Sequence, residues 1–433
     1  MLAKSLLALW LAVGALPAAS PSAVEELTRL TQQANAARKS GDLPARLQAV
    51  LKVRQLLHDA PNAIEASAQA YLEAGDTERA LTALSQFADL GQCDDGLLSG
   101  KKKTFAALEK LPRYQSILQR LAENKTAISR AETAFTLSDP GLLAEDIDYD
   151  PRAKSFFVSS VLEKKIIRVT PEGKAADFAL SPSHWPILAL KVDPSRRLLW
   201  ATEVALDGFT IAPKADWGRS ALLCFDLDTG KLKRRLEGPA HSALGDMTLT
   251  PEGNPIVSDG GGGGIYRLTG DRLERIDGGD YISPQTPAMY PDGKRILIPD
   301  YARGLSILDP TTRQGTWLSQ GASPRYALNG IDGLYLDHDF LIAIQNGATP
   351  PRVIRFPLDP ASAATIPERI IERATATLGD PTHGVVVGEY FYYIANSGWS
   401  ELDEHGDLKP QAKPTPARIM RYPLQSPAPS PRE

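Results

Sequence analysis

Apolar and polar residues alternate in a recurring unit over the second two thirds of the chain. In each unit an apolar, β-branched run enters a short polar turn, and a second apolar run leaves it. The six turns are Asp150-Pro151, Asp193-Pro194, Pro251-Glu252-Gly253, Pro291-Asp292-Gly293, Asp337-His338-Asp339 and Gly388-Glu389. They follow one another at intervals of 40 to 57 residues. Periods of about 40–50 residues with several short strands each are typical of propeller blades. The pattern therefore predicts an all-β six-bladed propeller over residues 136–424.

The runs that leave the turns have the β-branched and aromatic content that strands favour. These strands are predicted at 155–160, 198–202, 256–258, 295–298, 340–344 and 390–394. A third strand follows at 165–169, 221–225, 264–267, 304–308, 352–355 and 418–421. The strand that runs into each turn is predicted to be the innermost one, which lines the central channel of a propeller. We therefore expect functional residues at the mouth of this channel.

A smaller all-α domain is predicted over residues 24–130, where apolar residues recur with helical periodicity. Ala60-Pro61-Asn62 starts one helix, and Gly75-Asp76 separates it from the next. The run 70–81 resembles a tetratricopeptide repeat, although fewer than three clear copies are visible. Such repeats need neighbours to bury their faces. The domain is either a peptide-binding groove or, as we expect, a helical cap packed on the propeller.

The N-terminus has the order of a secretory signal peptide: Lys4, the apolar run 6–16, and then small residues. The alternative is an N-terminal anchor, but the run is well short of the ~20 residues that span a bilayer. We expect residues 1–20 to be removed by cleavage near 19–23, and the mature protein to be exported to the periplasm or the extracellular space without a membrane span. The tail 425–433 is proline-rich and predicted to be disordered.

Charge and cysteine content narrow the expected partners. The formal net charge is −4, and the only basic tract, Lys101-Lys102-Lys103, is typical of a solvated loop. This argues against nucleic acid and anionic membrane, and leaves a small-molecule substrate or a protein partner. Cys93 and Cys224 lie in different predicted domains and are expected to be buried thiols rather than a disulfide.

Polar side chains recur at one phase of the predicted inner strands. The positions six residues before each turn hold Glu145, Leu188, Gly245, Gln285, Asp332 and Thr382, and the next positions hold Asp146, Ala189, Asp246, Thr286, Gly333 and His383. Buried carboxylates are costly unless they are paired or bind a metal. Converging on one axis, Glu145, Gln285 and Asp332 would form an all-oxygen site for a hard divalent cation. Taken singly, an acid before a strand is usually a hydrogen-bonding residue of a turn or strand edge; the shared phase is what favours a common site.

The turns and these residues resemble the regucalcin (senescence marker protein)/gluconolactonase family of six-bladed propellers. The resemblance covers 136–424 and none of the helical region. In that family a Glu in blade one, an Asn in blade four and an Asp in blade five hold the metal. Glu145 and Asp332 match this pattern, whereas Gln285 adds a methylene at the Asn position. Blade three keeps Asp246, which the resemblance places near the substrate, but has Gly245 in place of the family's Asn.

The resemblance implies a metal-dependent hydrolase that acts on a lactone or related ester. Ca²⁺ is the first expectation for the cation, with Zn²⁺, Mn²⁺ and Mg²⁺ as alternatives. The cation would polarise the carbonyl and acidify a bound water, and Asp332 or Asp246 would accept the proton. His383 and Thr286 are weaker candidates for substrate contacts, because a lone His more often has a structural role. Loop tryptophans could line a ligand pocket or pack between blades; they are Trp185, Trp217 and Trp399.

A second functional class stays open on the sequence alone. The propeller could be a rigid, non-catalytic binding platform whose helical domain recruits a protein partner, because propellers serve both uses. The retained acidic pair favours hydrolysis, and the altered Asn positions favour binding.

Overall fold

The computed structural model describes residues 21–321, 324–359 and 368–424. The predicted signal peptide (1–20) and the predicted disordered tail (425–433) lie outside these residues. Within the described ranges, no helix combines the length and the apolar character that a membrane crossing requires.

Helices occupy the N-terminal part of the described chain. They are α1 (Ala23–Ser40), α2 (Leu43–Leu56), α3 (Pro61–Glu73), α4 (Thr77–Asp89), α5 (Asp95–Leu98) and α6 (Pro112–Asn124). The predicted helix pair is α3 and α4. Proline stands in the first turn of α3, where its missing N–H has no helical partner to lose. Asp76 caps α4, because its side chain accepts a hydrogen bond from the backbone N–H of Arg79 at 3.0 Å. The predicted start at Pro61 and the break at 75–76 are confirmed.

Two short strands precede the blades: β1 (Ile128–Ser129) and β2 (Glu132–Thr136). The first three blades comprise β3 (Ala144–Asp150), β4 (Ser155–Ser160), β5 (Lys165–Val169), β6 (Ala175–Leu180), β7 (Ile187–Asp193), β8 (Leu198–Ala205), β9 (Arg219–Asp226), β10 (Leu232–Glu237), β11 (Leu244–Leu249), β12 (Pro255–Asp259), β13 (Gly264–Thr269) and β14 (Arg272–Arg275). The next three comprise β15 (Ala288–Met289), β16 (Ile296–Asp300), β17 (Gly304–Asp309), β18 (Gln314–Trp317), β19 (Gly333–Asp337), β20 (Phe340–Gln345), β21 (Arg352–Pro357), β22 (Arg369–Arg373), β23 (Gly384–Val387), β24 (Tyr390–Ile394) and β25 (Arg418–Pro423).

The strands form six antiparallel sheets, and each of the first five blades runs in chain order from the inner to the outer strand. The sixth blade is completed from the other end of the chain, because β2 pairs with β25 and Glu132 lies opposite Arg421. Strand β1 adds to the outer edge of blade five by pairing with β22. The six-bladed fold is confirmed. The predicted strands 155–160 and 390–394 coincide with β4 and β24.

The helices dock on the edge of blades four and five. The buried guanidinium of Arg352 donates to the backbone oxygen of Leu90 and to Oε1 of Gln345, the latter at 2.7 Å. The backbone N–H of Cys93 donates to the oxygen of Thr349 at 2.6 Å. Both cysteines are free and buried, as predicted. The helices thus pack against the propeller.

Candidate functional site

A β-bulge at the channel mouth positions the first acidic residues. The pairing of β3 with β4 shifts register between Ala144 and Ile147, so Glu145 and Asp146 lie opposite a single residue of β4. Successive residues of a regular strand point to opposite faces, and a bulge changes the direction of a side chain. Glu145 and Asp146 therefore both make contacts inside the ring. Equivalent register shifts occur at 187–190 in blade two and at 244–246 in blade three.

Asp246 and His383 form a buried pair that joins blades three and six. Nε2 of His383 donates to Oδ1 of Asp246 in a short hydrogen bond, and Thr286 Oγ1 donates to the same oxygen at 3.0 Å. The other ring nitrogen of His383, Nδ1, donates to the backbone oxygen of Glu145 at 2.9 Å. Burial alone would lower the pKa of His383, but Asp246 and the other nearby carboxylates raise it well above its usual value. His383 is therefore an imidazolium with both nitrogens engaged.

Glu145 and Asp332 are two further buried carboxylates at the mouth. Glu145 Oε2 accepts a hydrogen bond from Trp399 Nε1 at 2.5 Å, and Asp332 Oδ2 accepts one from Asn346 Nδ2 at 2.6 Å. Burial raises the pKa of Glu145 to about 8; the charge of His383 opposes this shift, and the charge of Asp332 adds to it. Burial likewise raises the pKa of Asp332 to about 7, although His383 opposes the shift. Within the described ranges, neither carboxylate forms an ion pair with a basic side chain.

The other cation near the mouth already has an anionic partner. Lys191 Nζ lies 2.9 Å from Oδ2 of the buried Asp146. Asp148 follows deeper in the channel, where burial raises its pKa to about 6. With Lys191 paired to Asp146 and His383 paired to Asp246, the negative charges of Glu145 and Asp332 have no basic residue of their own. Apart from Asp148, the site therefore gains about two negative charges that no basic side chain among the described residues balances when Glu145 and Asp332 are both ionised.

Several donor atoms at the mouth are of the kinds that bind cations. One ligand atom from each of Asp246, Asp332 and His383 lies within 4.8 Å of the other two. Because both nitrogens of His383 are engaged in hydrogen bonds, we assign it to Asp246 rather than to a cation. Asn346 Oδ1 is buried beside Asp332 and has no hydrogen-bond partner in the described part of the chain. Carboxylate and amide oxygens are the ligands that Ca²⁺ and Mg²⁺ prefer.

The predicted site residues fall into two groups. Glu145, Asp246, Thr286, Asp332 and His383 come together at the mouth through the contacts above. Gln285 does not share them. Its amide nitrogen donates to the backbone oxygen and the Oγ of Ser283, at 3.2 and 3.0 Å. A role for Gln285 in cation binding stays a prediction.

The three loop tryptophans also differ. Trp399 reaches the site. Trp185 is buried, with the guanidinium groups of Arg219 and Arg235 above its ring at 5.2 and 5.4 Å. Trp217 donates to backbone oxygens of its own loop. Only Trp399 is thus placed to touch a ligand at the mouth.

Asn346 and Lys191 were missed by the reasoning from sequence. Asn346 directly follows β20, whose end returns to the mouth because β20 pairs antiparallel with β19. A search for polar residues just after the second strand of each blade would have found it. Lys191 lies within β7, three residues after the phase of Leu188, where a bulge alters the facing of the strand.

No family model and no curated protein matches this sequence. Among solved structures, aldose sugar dehydrogenase from Streptomyces coelicolor, in its PQQ-bound form, is 13% identical over 68% of this chain and 97% of its own, with a TM-score of 0.46. A gluconolactonase from Xanthomonas campestris is 12% identical over 69% and 97%, with a TM-score of 0.44. Virginiamycin B lyase from Staphylococcus aureus is 15% identical over 67% and 88%, with a TM-score of 0.43. At these values the likeness extends no further than the propeller fold.

Proposed function

We propose that this protein is an exported, divalent-cation-dependent hydrolase that opens a lactone or related ester at the channel mouth. Export is supported by the order of charged, apolar and small residues in 1–20. The observation that carries the catalytic proposal is the pair of buried carboxylates, Glu145 and Asp332, that lack basic partners. Burying unpaired charge is expensive, and a divalent cation would balance both groups at once.

Glu145 and Asp332 would hold the cation. The Oδ1 atom of Asn346, which has no hydrogen-bond partner among the described residues, would be a third oxygen ligand. When bound, a divalent cation supplies Lewis acidity toward a carbonyl oxygen and lowers the pKa of a bound water. Proton transfer would be carried out by protein side chains. Thr286 and His383 hold the carboxylate of Asp246 in one orientation through Oδ1.

Asp246 is the proposed proton acceptor, while Asp332 keeps its place as a ligand. The oxygen of water bonds to the carbonyl carbon, and the water proton passes to the carboxylate of Asp246. The carbonyl carbon–ring oxygen bond then breaks, and the proton passes from Asp246 to the departing alkoxide. The product is the open hydroxy acid, and Asp246 returns to its starting state.

Metal analysis of the purified protein, followed by a lactone and ester panel with and without chelator, tests this proposal. We expect Asp332→Asn to lose cation binding in calorimetry. Asp246→Asn is expected to keep cation binding but to lose turnover by about 10²–10⁴-fold, the usual contribution of a general base. Asp277→Asn is the matched control, since Asp277 is buried and paired with Arg275 at 2.9 Å, away from the mouth.

Two results would contradict the proposal. One is a protein that binds no divalent cation; the other is hydrolysis that a chelator leaves unchanged. A protein that binds no cation and hydrolyses nothing in the panel would favour the alternative of a non-catalytic binding module, with a protein partner for the helical domain.

A further inference from the structure

Two loops at the channel mouth are much longer than their counterparts. The connections between the second and third strands cover 161–164, 260–263 and 301–303 in blades one, three and four. The same connection covers 206–218 in blade two and 395–417 in blade six. These two segments, called the mouth loops below, lie on the face of the propeller that holds Glu145 and Asp332.

The mouth loops contact each other across the top of blade one. The backbone N–H of Thr210 donates to the oxygen of His405 at 2.8 Å, and Thr210 Oγ1 donates to Oδ1 of Asp407 at 2.8 Å. Phe209 lies against Gly406, where an added Cβ would come within 2.3 Å of the phenyl ring. Only glycine allows this approach, so the two loops are fitted to one another.

Apolar side chains of the mouth loops and of the 161–164 connection belong to one cluster. Leu162, Leu206, Phe209, Ile211 and Trp399 are partly buried and pack against the buried Leu143, Leu188 and Leu402. The Phe209 and Trp399 rings meet edge to face, with centroids 6.3 Å apart. We call the side chains of Leu162, Leu206, Phe209, Ile211 and Trp399 the apolar wall. It is continuous with the acidic site, because the indole of Trp399 donates to Glu145 Oε2.

We infer that the apolar wall binds an alkyl or aryl substituent of the substrate, so that the protein acts on lipophilic lactones or esters rather than on polyhydroxylated sugar lactones. This inference rests on the proposed function. A substrate whose carbonyl lies beside Glu145 and Asp332 places its substituent next to Trp399. Five apolar side chains there offer few hydrogen bonds to sugar hydroxyls, which would lose water without compensation. An alkyl chain instead gains from removal of its apolar surface from water.

A series of lactones with one ring size tests the inference. Glucono-δ-lactone, δ-valerolactone and δ-nonalactone share the reacting group and differ in the substituent. Burial of each methylene is worth up to about fourfold in affinity. We therefore expect kcat/KM for δ-nonalactone to exceed that for δ-valerolactone by at least about tenfold, with glucono-δ-lactone the poorest of the three.

Phe209→Ala removes the phenyl ring of the wall. We expect it to lower the preference for δ-nonalactone, measured as its kcat/KM divided by that for δ-valerolactone, by at least about fivefold. Phe209→Leu keeps an apolar side chain and should give an intermediate ratio, and it decides the matter if Phe209→Ala does not fold. Phe178→Ala is the matched control, because Phe178 packs edge to face on Phe157 in the outer part of blade one. It should leave the ratio unchanged.

The outcomes separate this inference from the proposed function. Hydrolysis with no preference for the longer chain, or with glucono-δ-lactone as the best substrate, would overturn the inference and leave the hydrolase standing. A ratio that is unaffected by both Phe209 variants would show that the wall only stabilises the loops. If no lactone is hydrolysed, the proposed function fails, and the inference fails with it.

Discussion

Replacing Glu145 by Gln should stabilise the protein in the absence of divalent cations while removing its ability to bind them. Gln has nearly the shape of a protonated Glu and can still accept the hydrogen bond from Trp399. The raised pKa of Glu145 means that the folded state without a cation disfavours the ionised carboxylate. A neutral side chain avoids this cost.

The size of the effect follows from the pKa of about 8 against an ordinary value of 4.5. Because the folded-state pKa is raised, the full stability is present below pH 4.5 and is lost as the pH rises through 8. One pKa unit corresponds to about 1.4 kcal/mol. At pH 8 the cation-free wild-type protein therefore loses up to about 4 kcal/mol at this residue, and at pH 5 less than about 1 kcal/mol. Since Asp332 shares the repulsion, we expect Glu145→Gln to gain roughly 2–4 kcal/mol at pH 8.

Urea unfolding at pH 5 and pH 8, with chelator and with excess Ca²⁺, measures these differences. In Ca²⁺ the advantage of Glu145→Gln at pH 8 should shrink at a hundredfold excess over Kd and be cancelled or reversed at a thousandfold excess. Only the wild-type protein gains binding energy, about 2.7 kcal/mol at the first concentration and about 4.1 kcal/mol at the second. Glu203→Gln is the control, because Glu203 is fully buried but paired with Arg235 at 2.8 Å. Its loss should destabilise the protein at both pH values.

The reasoning is refuted if Glu145→Gln in chelator is no more stable than wild type at pH 8, or if its gain is the same at pH 5. Either result would mean that Glu145 is solvated or paired in solution, and that no cation is needed to balance it.

Two further predictions concern the architecture. Arg352→Met leaves Gln345 Oε1 and the oxygen of Leu90 without their shared donor. It should cost about 1–3 kcal/mol and expose the helix–propeller junction to limited proteolysis, whereas Arg272→Met, at an exposed position on the outer strand of blade three, should do neither. Phe135→Ala in β2 removes a buried ring whose centroid is 5.2 Å from that of Phe156. It should cost about 3–5 kcal/mol of folding stability and speed hydrogen exchange of the β25 amides. Exchange that rises equally in all blades would contradict a local role of Phe135 in ring closure.

Most of the fold could be predicted from the strand pattern, because each blade repeats the same local sequence: an apolar run, a polar turn and a second apolar run. The phase of the inner strands likewise brought Glu145, Asp246, Asp332 and His383 to one mouth. Position along a strand fixes where a Cα lies, but side-chain torsions decide where a long side chain ends. Gln285 occupies the expected phase, yet its amide turns back to Ser283.

Contacts between segments that are distant in the chain could not be predicted from the sequence pattern. Trp399 belongs to a long loop of blade six, and nothing near it in the chain indicates that its indole meets Glu145 in blade one. The pairing of β2 with β25 is similar, because five residues with one buried side chain give little signal of their own.

The pairing of β2 with β25 also determines when the protein can finish folding. Glu132 and Arg421, which face each other across this pair, are 289 residues apart in the chain. Contacts of such long range form slowly. The local helices can form early, but β2 and β24 keep open edges, which invite pairing with other chains, until β25 pairs with both. Protection of these two edges therefore depends on a single strand, and a variant that cannot form β25 would expose both of them.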